Sequence, residues 1–116
     1  MKPPKHLKIR FFIFIVSILF LSLSKGFAED QSYVITIKDH EFSPKELKVP
    51  AHQKIKIVVD NQDSTVEEFE SYDLNREKLV MGHGKITVFI GPLKPGTYKY
   101  FGEFHQATAQ GVIIAE

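Results

Sequence analysis

The 116-residue chain has no cysteine. That absence excludes disulfide staples, thiolate metal ligands and lipid anchoring through a terminal thioether. Beyond residue 28 no stretch holds a helical period, which argues against a bundle. There is no internal repeat or low-complexity segment in that part. Basic residues form no patch or stripe, so a nucleic-acid partner is not expected. No nucleophile–base pair stands out, and the chain reads as a binding protein rather than an enzyme.

Acid is missing from the first 28 residues, which hold Lys2, Lys5, Lys8, Arg10 and Lys25. An apolar run with interspersed serines follows from Phe11 to Ser24, and Gly26-Phe27-Ala28 supplies small residues for a cut after Ala28. This is the layout of a secretory signal peptide over residues 1–28, with export to the periplasm as its consequence. The run falls short of the roughly 20 residues that span a bilayer, although an uncleaved anchor is the alternative. Removal leaves residues 29–116 with ten Lys and Arg against fourteen Asp and Glu, a net charge of −4. Those 88 residues suffice for one domain with one modest core, soluble or loosely membrane-associated.

Residues 29–116 read as all-β, a Greek-key β-sandwich of about seven short strands. Tyr33-Val34-Ile35-Thr36-Ile37 puts Tyr33, Ile35 and Ile37 on one face. Glu46 to Val49 alternates and stops at Pro50. Lys54 to Asn61 turns Ile55, Ile57 and Val59 inward. Phe69 to Leu74 is a weaker strand, and residues 62–68 could form one turn of helix. Lys78 to Val80 and Lys85 to Ile90 flank a glycine turn, Met81-Gly82-His83-Gly84. Pro92 and Pro95 keep residues 91–96 out of a central strand. The chain closes on Gly96 to Phe101 and Gly111 to Ala115.

The end of the chain carries a family resemblance. Pro95-Gly96-Thr97-Tyr98-Lys99-Tyr100-Phe101-Gly102-Glu103-Phe104-His105 resembles the cupredoxin ending Pro-Gly-x-Tyr-x-aromatic-x-Cys-x-x-His. Gly102 stands where the cysteine belongs, and His105 is kept. Phe42-Ser43-Pro44 with Leu47 and Val49, and Ile57 to Asp63, are similar to the family's earlier strands. The family's first histidine follows the asparagine by about six residues. After Asn61 that stretch holds Glu67, Glu68 and Glu70 instead. No methionine follows His105 at the axial position, and Gln110 is nearest. The resemblance therefore implies the fold without a blue copper site. Glu67 to Lys78, Gly91 to Gly96 and Phe101 to His105 together resemble exported cupredoxin-like components of bacterial high-affinity iron uptake. That resemblance implies iron or copper handling beside an inner-membrane iron permease and associated uptake components.

A physical case for metal stands beside the resemblance. A sandwich brings the loops after Asn61 and after Phe101 to one end. Carboxylates there would repel one another, and a cation would relieve them. Carboxylates with one imidazole suit Fe(III), Mn(II), Cu(II) or Zn(II) better than Cu(I), and with the resemblance the expected metal is Cu(II) or iron as Fe(III) or Fe(II). Glu68, Glu103 and His105 are the preferred ligands, with Glu67 and Glu70 as neighbours. Alternation sends Glu67 inward if Phe69 is core. Two other readings remain: a copper carrier using Met81, His83 and His105, and a metal-free interaction module. His40 reads as part of a polar turn and His52 as surface. Tyr72, Tyr98 and Tyr100 read as core or edge aromatics, and Asn61 as the organiser of its turn. Arg76 and Glu77 read as a surface pair, and Phe89 and Phe104 look exposed.

Overall fold

A computed structural model describes residues 31–116, so the expected signal peptide lies outside the described residues. Nine strands run in chain order: β1 Gln31–Lys38, β2 Glu41–Ser43, β3 Glu46–Val49, β4 Ile55–Asn61, β5 Glu67–Ser71, β6 Arg76–Val80, β7 Lys85–Ile90, β8 Gly96–Gly102 and β9 Gln110–Ala115. They form two sheets, ordered β2-β1-β4-β7 and β3-β9-β8-β5-β6. The sequence suggested about seven strands. The difference arises because the first run turns at Asp39-His40 and pairs back on itself, and because β2 and β3 belong to different sheets. Residues 62–68 form no helix: a bend leads into β5, which begins at Glu67 rather than Phe69. The described residues hold one short 3-10 turn, Glu103–His105.

The β-branched runs become strands because one of their faces is buried. Ile55, Ile57 and Val59 alternate inward on β4 and are fully buried, as the pattern predicted. β1 runs parallel to β4, with Ile35 opposite Val59 and Ile37 opposite Asn61. From the second sheet, Phe69, Tyr100 and Ile113 close the core. Phe42, Phe69 and Tyr100 form an aromatic cluster with ring centres 5.0 to 6.2 Å apart. Tyr100 is thus core, its hydroxyl donating to the Pro44 carbonyl at 3.2 Å, whereas Tyr72 is exposed.

The open side of the sandwich, between β6 and β7, is closed by side chains. Arg76 Nε donates to the Phe89 carbonyl at 2.9 Å, and Lys78 Nζ to that of Thr87 at 3.1 Å. Arg76 therefore covers a strand edge instead of pairing with Glu77.

Asn61, at the end of β4, organises this end of the sandwich. Its side chain is fully buried. Nδ2 donates to the carbonyls of Thr65, Val80 and Met81, and Oδ1 accepts the Asp63 amide at 3.1 Å. One amide thereby ties the β4–β5 loop to the glycine turn between β6 and β7. Asn61→Ala strands those buried partners and is expected to lower stability by about 2–4 kcal/mol. Urea unfolding checks this; a loss below about 0.5 kcal/mol would contradict it.

Candidate metal centre

Glu67 opens β5 on the same inward face as Phe69 and Ser71, and all three are buried. A carboxylate only 1% exposed needs partners for its charge. Oε1 accepts the amides of Glu68 at 3.0 Å and Phe104 at 2.9 Å. Oε2 lies 2.5 Å from His105 Nδ1. The 3-10 turn after β8 presents both the Phe104 amide and the His105 ring to this carboxylate. The turn is itself held by amides of Thr108 and Ala109 donating to the His105 carbonyl.

His40 completes the group. Its ring stacks on that of His105, with centroids 3.6 Å apart and planes 12° from parallel. Donor atoms of His40, Glu67 and His105 all lie within 4.8 Å of one another. His40 comes from the β1–β2 turn, where Asp39 and His40 adopt φ of 51° and 59°. Such left-handed conformations are disfavoured for non-glycine residues. Asp63 holds them: Oδ1 accepts the Asp39 amide at 2.8 Å and Oδ2 the His40 amide at 3.0 Å. Burial pushes the Asp63 carboxyl up, but the two amides and the nearby His40 ring outweigh it and hold it below the usual value. Thr108 Oγ1 donates to the His40 carbonyl at 2.7 Å, joining this turn to the β8–β9 loop.

The other residues singled out from the sequence lie elsewhere. Glu68 and Glu70 alternate outward on β5, and Glu103 joins them with Glu77 on the outer face of the five-stranded sheet. Met81 is exposed in the glycine turn, where its carbonyl serves Asn61. The amide of His83 donates to the Asp63 carbonyl. Neither Met81 nor His83 joins the three-donor group. Glu67 and His105 are thus brought together, Glu68, Glu70 and Glu103 form a separate acidic face, and His40 is the added member. Ligand spacing gave no sign of His40, because it sits outside both loops that the resemblance pointed to.

The donor set can be tested against metal chemistry. Two imidazoles and a carboxylate suit Cu(II), Fe(II) and Zn(II). They do not suit a thiolate copper centre, and position 102 shows why none could be restored by one substitution. A Cβ on Gly102 would lie 2.7 Å from Glu67 Cδ and 2.8 Å from Ala109 Cβ. The Glu67 carboxyl fills the space beside that backbone. Gly102→Ala is expected to destabilise by about 1–3 kcal/mol through overcrowding. The loss should shrink in a Glu67→Ala background, measured as a double-mutant cycle. Strictly additive effects would contradict the contact.

The acidic face has its own signature. Sharing a hydrogen bond with Glu77 and facing the charges of Glu70 and Glu103 raise the Glu68 carboxyl from 4.5 to about 7. A folded-state value above the unfolded one favours the fold while the group is protonated. That contribution is full below about pH 4.5 and is lost as pH rises through about 7. Glu77→Gln is therefore expected to raise the melting temperature at pH 7.5, with the difference from wild type vanishing below pH 4.5. An equal difference at both pH values would contradict it.

A family model described as cupredoxin-like domain matches residues 11–115. An uncharacterized protein of Rickettsia prowazekii is 58% identical over 80 residues, covering 69% of this chain. The match spans 64% of that relative's length. Among solved structures, auracyanin A, a "blue" copper protein from Chloroflexus aurantiacus, superposes with TM-score 0.65 at 16% identity, over 76% of this chain and all of that one. The auracyanin of Roseiflexus castenholzii gives 0.63 at 17%, over 77% and 99%. A purple cupredoxin from Nitrosopumilus maritimus gives 0.57 at 19%, over 75% and 100%. With two such sheets and a family match across nearly the whole sequence, the chain belongs to the cupredoxin-like domain family.

Proposed function

We propose that this is an exported metal-binding protein, an iron- or copper-handling accessory of a high-affinity iron uptake system, with a thiolate-free site at His40, Glu67 and His105. One observation carries the metal reading: three ligand atoms from three separate segments converge within 4.8 Å. The metal is Cu(II) or iron as Fe(II) or Fe(III), in keeping with the imidazole and carboxylate donors. Glu67 supplies a buried negative charge, with the Phe104 and Glu68 amides fixing its orientation. His105, held to Glu67 Oε2, and His40, held by Asp63, supply the imidazoles. Both histidines are half-buried, so solvent and a partner reach the site. The sequence motifs shared with iron-uptake components support an inner-membrane iron permease as that partner, and a carrier rather than an enzyme.

A second reading rests on the same carboxylate. Glu67 already receives two amides and an imidazole, so an internal ion pair could stand where relatives hold metal. The shell would then serve as an interaction module. Metal titration separates the two. Cu(II) or Fe(II) is expected to bind one per chain and to raise the melting temperature, by the equivalent of about 2.7 kcal/mol at a hundredfold excess over Kd. His40→Ala and His105→Ala should each weaken binding at least about tenfold. Binding should also weaken as pH falls, because ligands must shed protons. Binding and melting temperature unchanged by metal, or unaltered by both substitutions, would overturn the site.

A further inference from the structure

Asp63 lies outside the three-donor group, yet the loop after β4 holds it against His40. Its amide donates to Asn61 Oδ1 at 3.1 Å, and its carbonyl accepts the His83 amide at 2.8 Å. Its side chain is only 14% exposed. The carboxylate reaches 24 and 23 positions back along the chain to accept the amides of Asp39 and His40. Oδ2, which takes the His40 amide, also lies 3.5 Å from Nδ1 of the same residue's ring. One oxygen thus addresses both the backbone and the imidazole of His40.

The turn itself needs only the two amide contacts, which support its consecutive left-handed residues. The ring contact has a different consequence. Stacking on His105 fixes the plane of the His40 ring, with 12° between the two planes. It does not fix which nitrogen faces which way, because a half-turn about Cβ–Cγ keeps the plane and exchanges Nδ1 with Cδ2. A carboxylate oxygen only accepts hydrogen bonds, so it favours a protonated Nδ1 beside it. At 3.5 Å the contact is longer than a good hydrogen bond and acts through charge. A neutral imidazole with its proton on Nδ1 carries its free lone pair on Nε2.

We propose that Asp63 is a positioning residue for the metal centre, holding the His40 ring with Nδ1 protonated so that Nε2 is the ligand atom. This role rests on the reading of His40, Glu67 and His105 as a metal site. The ring sits on a turn with 40% of its side chain exposed. Without Asp63 it samples both ring flips and both tautomers, and only part of that population can bind. Carboxylates that orient a ligating histidine in this way are worth about 10–100-fold in metal affinity.

Two measurements on the protein as recovered from exporting cells test this. Long-range proton–nitrogen correlation NMR of the metal-free protein, isotope-labelled at histidine, reads the tautomer of each ring. At about pH 7.5, above the ordinary histidine value of about 6.5, His40 is expected in the Nδ1–H form. Asp63→Asn should shift it toward the Nε2–H form. Cu(II) binding, titrated against a competing chelator, should weaken at least about tenfold in the same variant. Asparagine can accept only one of the two amides through its carbonyl side, so the substitution also loosens the turn. Adding Asp39→Gly relieves that, because glycine adopts positive φ freely. Asp39→Gly/Asp63→Asn should therefore recover melting temperature but not Cu(II) affinity, each compared with Asp39→Gly alone. Affinity that returns with stability would show that Asp63 only braces the turn, and would overturn the proposal. A wild-type His40 in the Nε2–H form would overturn it equally. Absence of Cu(II) binding by the wild type would overturn the metal site and this role with it, whereas binding left intact by Asp63→Asn would overturn the role of Asp63 alone.

Discussion

A carboxylate buried inside a β-sandwich governs this molecule. Glu67 sits on the core face of β5 at 1% exposure, next to Phe69. An ionised group there is tolerable only with full compensation. The fold meets that demand with the 3-10 turn after β8, which aims one amide and one imidazole at the carboxylate. Gly102 follows from the same constraint, because any side chain there would collide with the carboxyl. Removing His105 would leave the buried Glu67 Oε2 without its ring-nitrogen partner, a cost of about 1–3 kcal/mol for an orphaned buried acceptor. The burial of Glu67 and the placement of His105 are therefore fixed by one set of contacts.

Around that carboxylate, three polar residues relay position from strand to strand. Asn61 ends β4 and pins its loop; Asp63 in that loop caps the left-handed turn at Asp39 and His40; Thr108 ties that turn to the β8–β9 loop. His40 thus stacks on His105 although the two are 65 positions apart in sequence. The sandwich supplies the frame, with Glu67 at the start of β5 and His40 and His105 on turns at the same end.

The fold could be read from the sequence because its strands alternate cleanly. Ile55, Ile57 and Val59 go inward, and Gly and Pro mark the turns. The ending from Pro95 to His105 carried the family. Strand number was less legible, since a three-residue strand such as β2 has too few residues to show a period. Parts of the metal group could be read as well. His105 came from the motif, and alternation sends Glu67 inward with Phe69, although Glu68 is the ligand preferred from sequence. Glu68 and Glu70 differ from Glu67 only in strand alternation, while Glu103 opens the 3-10 turn and faces Glu70. His40 could not be found this way. Its approach depends on the left-handed turn and on Asp63, a tertiary contact that leaves no local spacing.

Electron paramagnetic resonance of the protein loaded with one equivalent of Cu(II) tests the central claim most directly. The His40, Glu67 and His105 site should give nitrogen coupling from two imidazoles and none of the intense colour of thiolate copper. One coupling should disappear in His40→Ala and the other in His105→Ala. A spectrum unchanged by both substitutions, or identical to that of copper in buffer, would show that the group is not a copper centre.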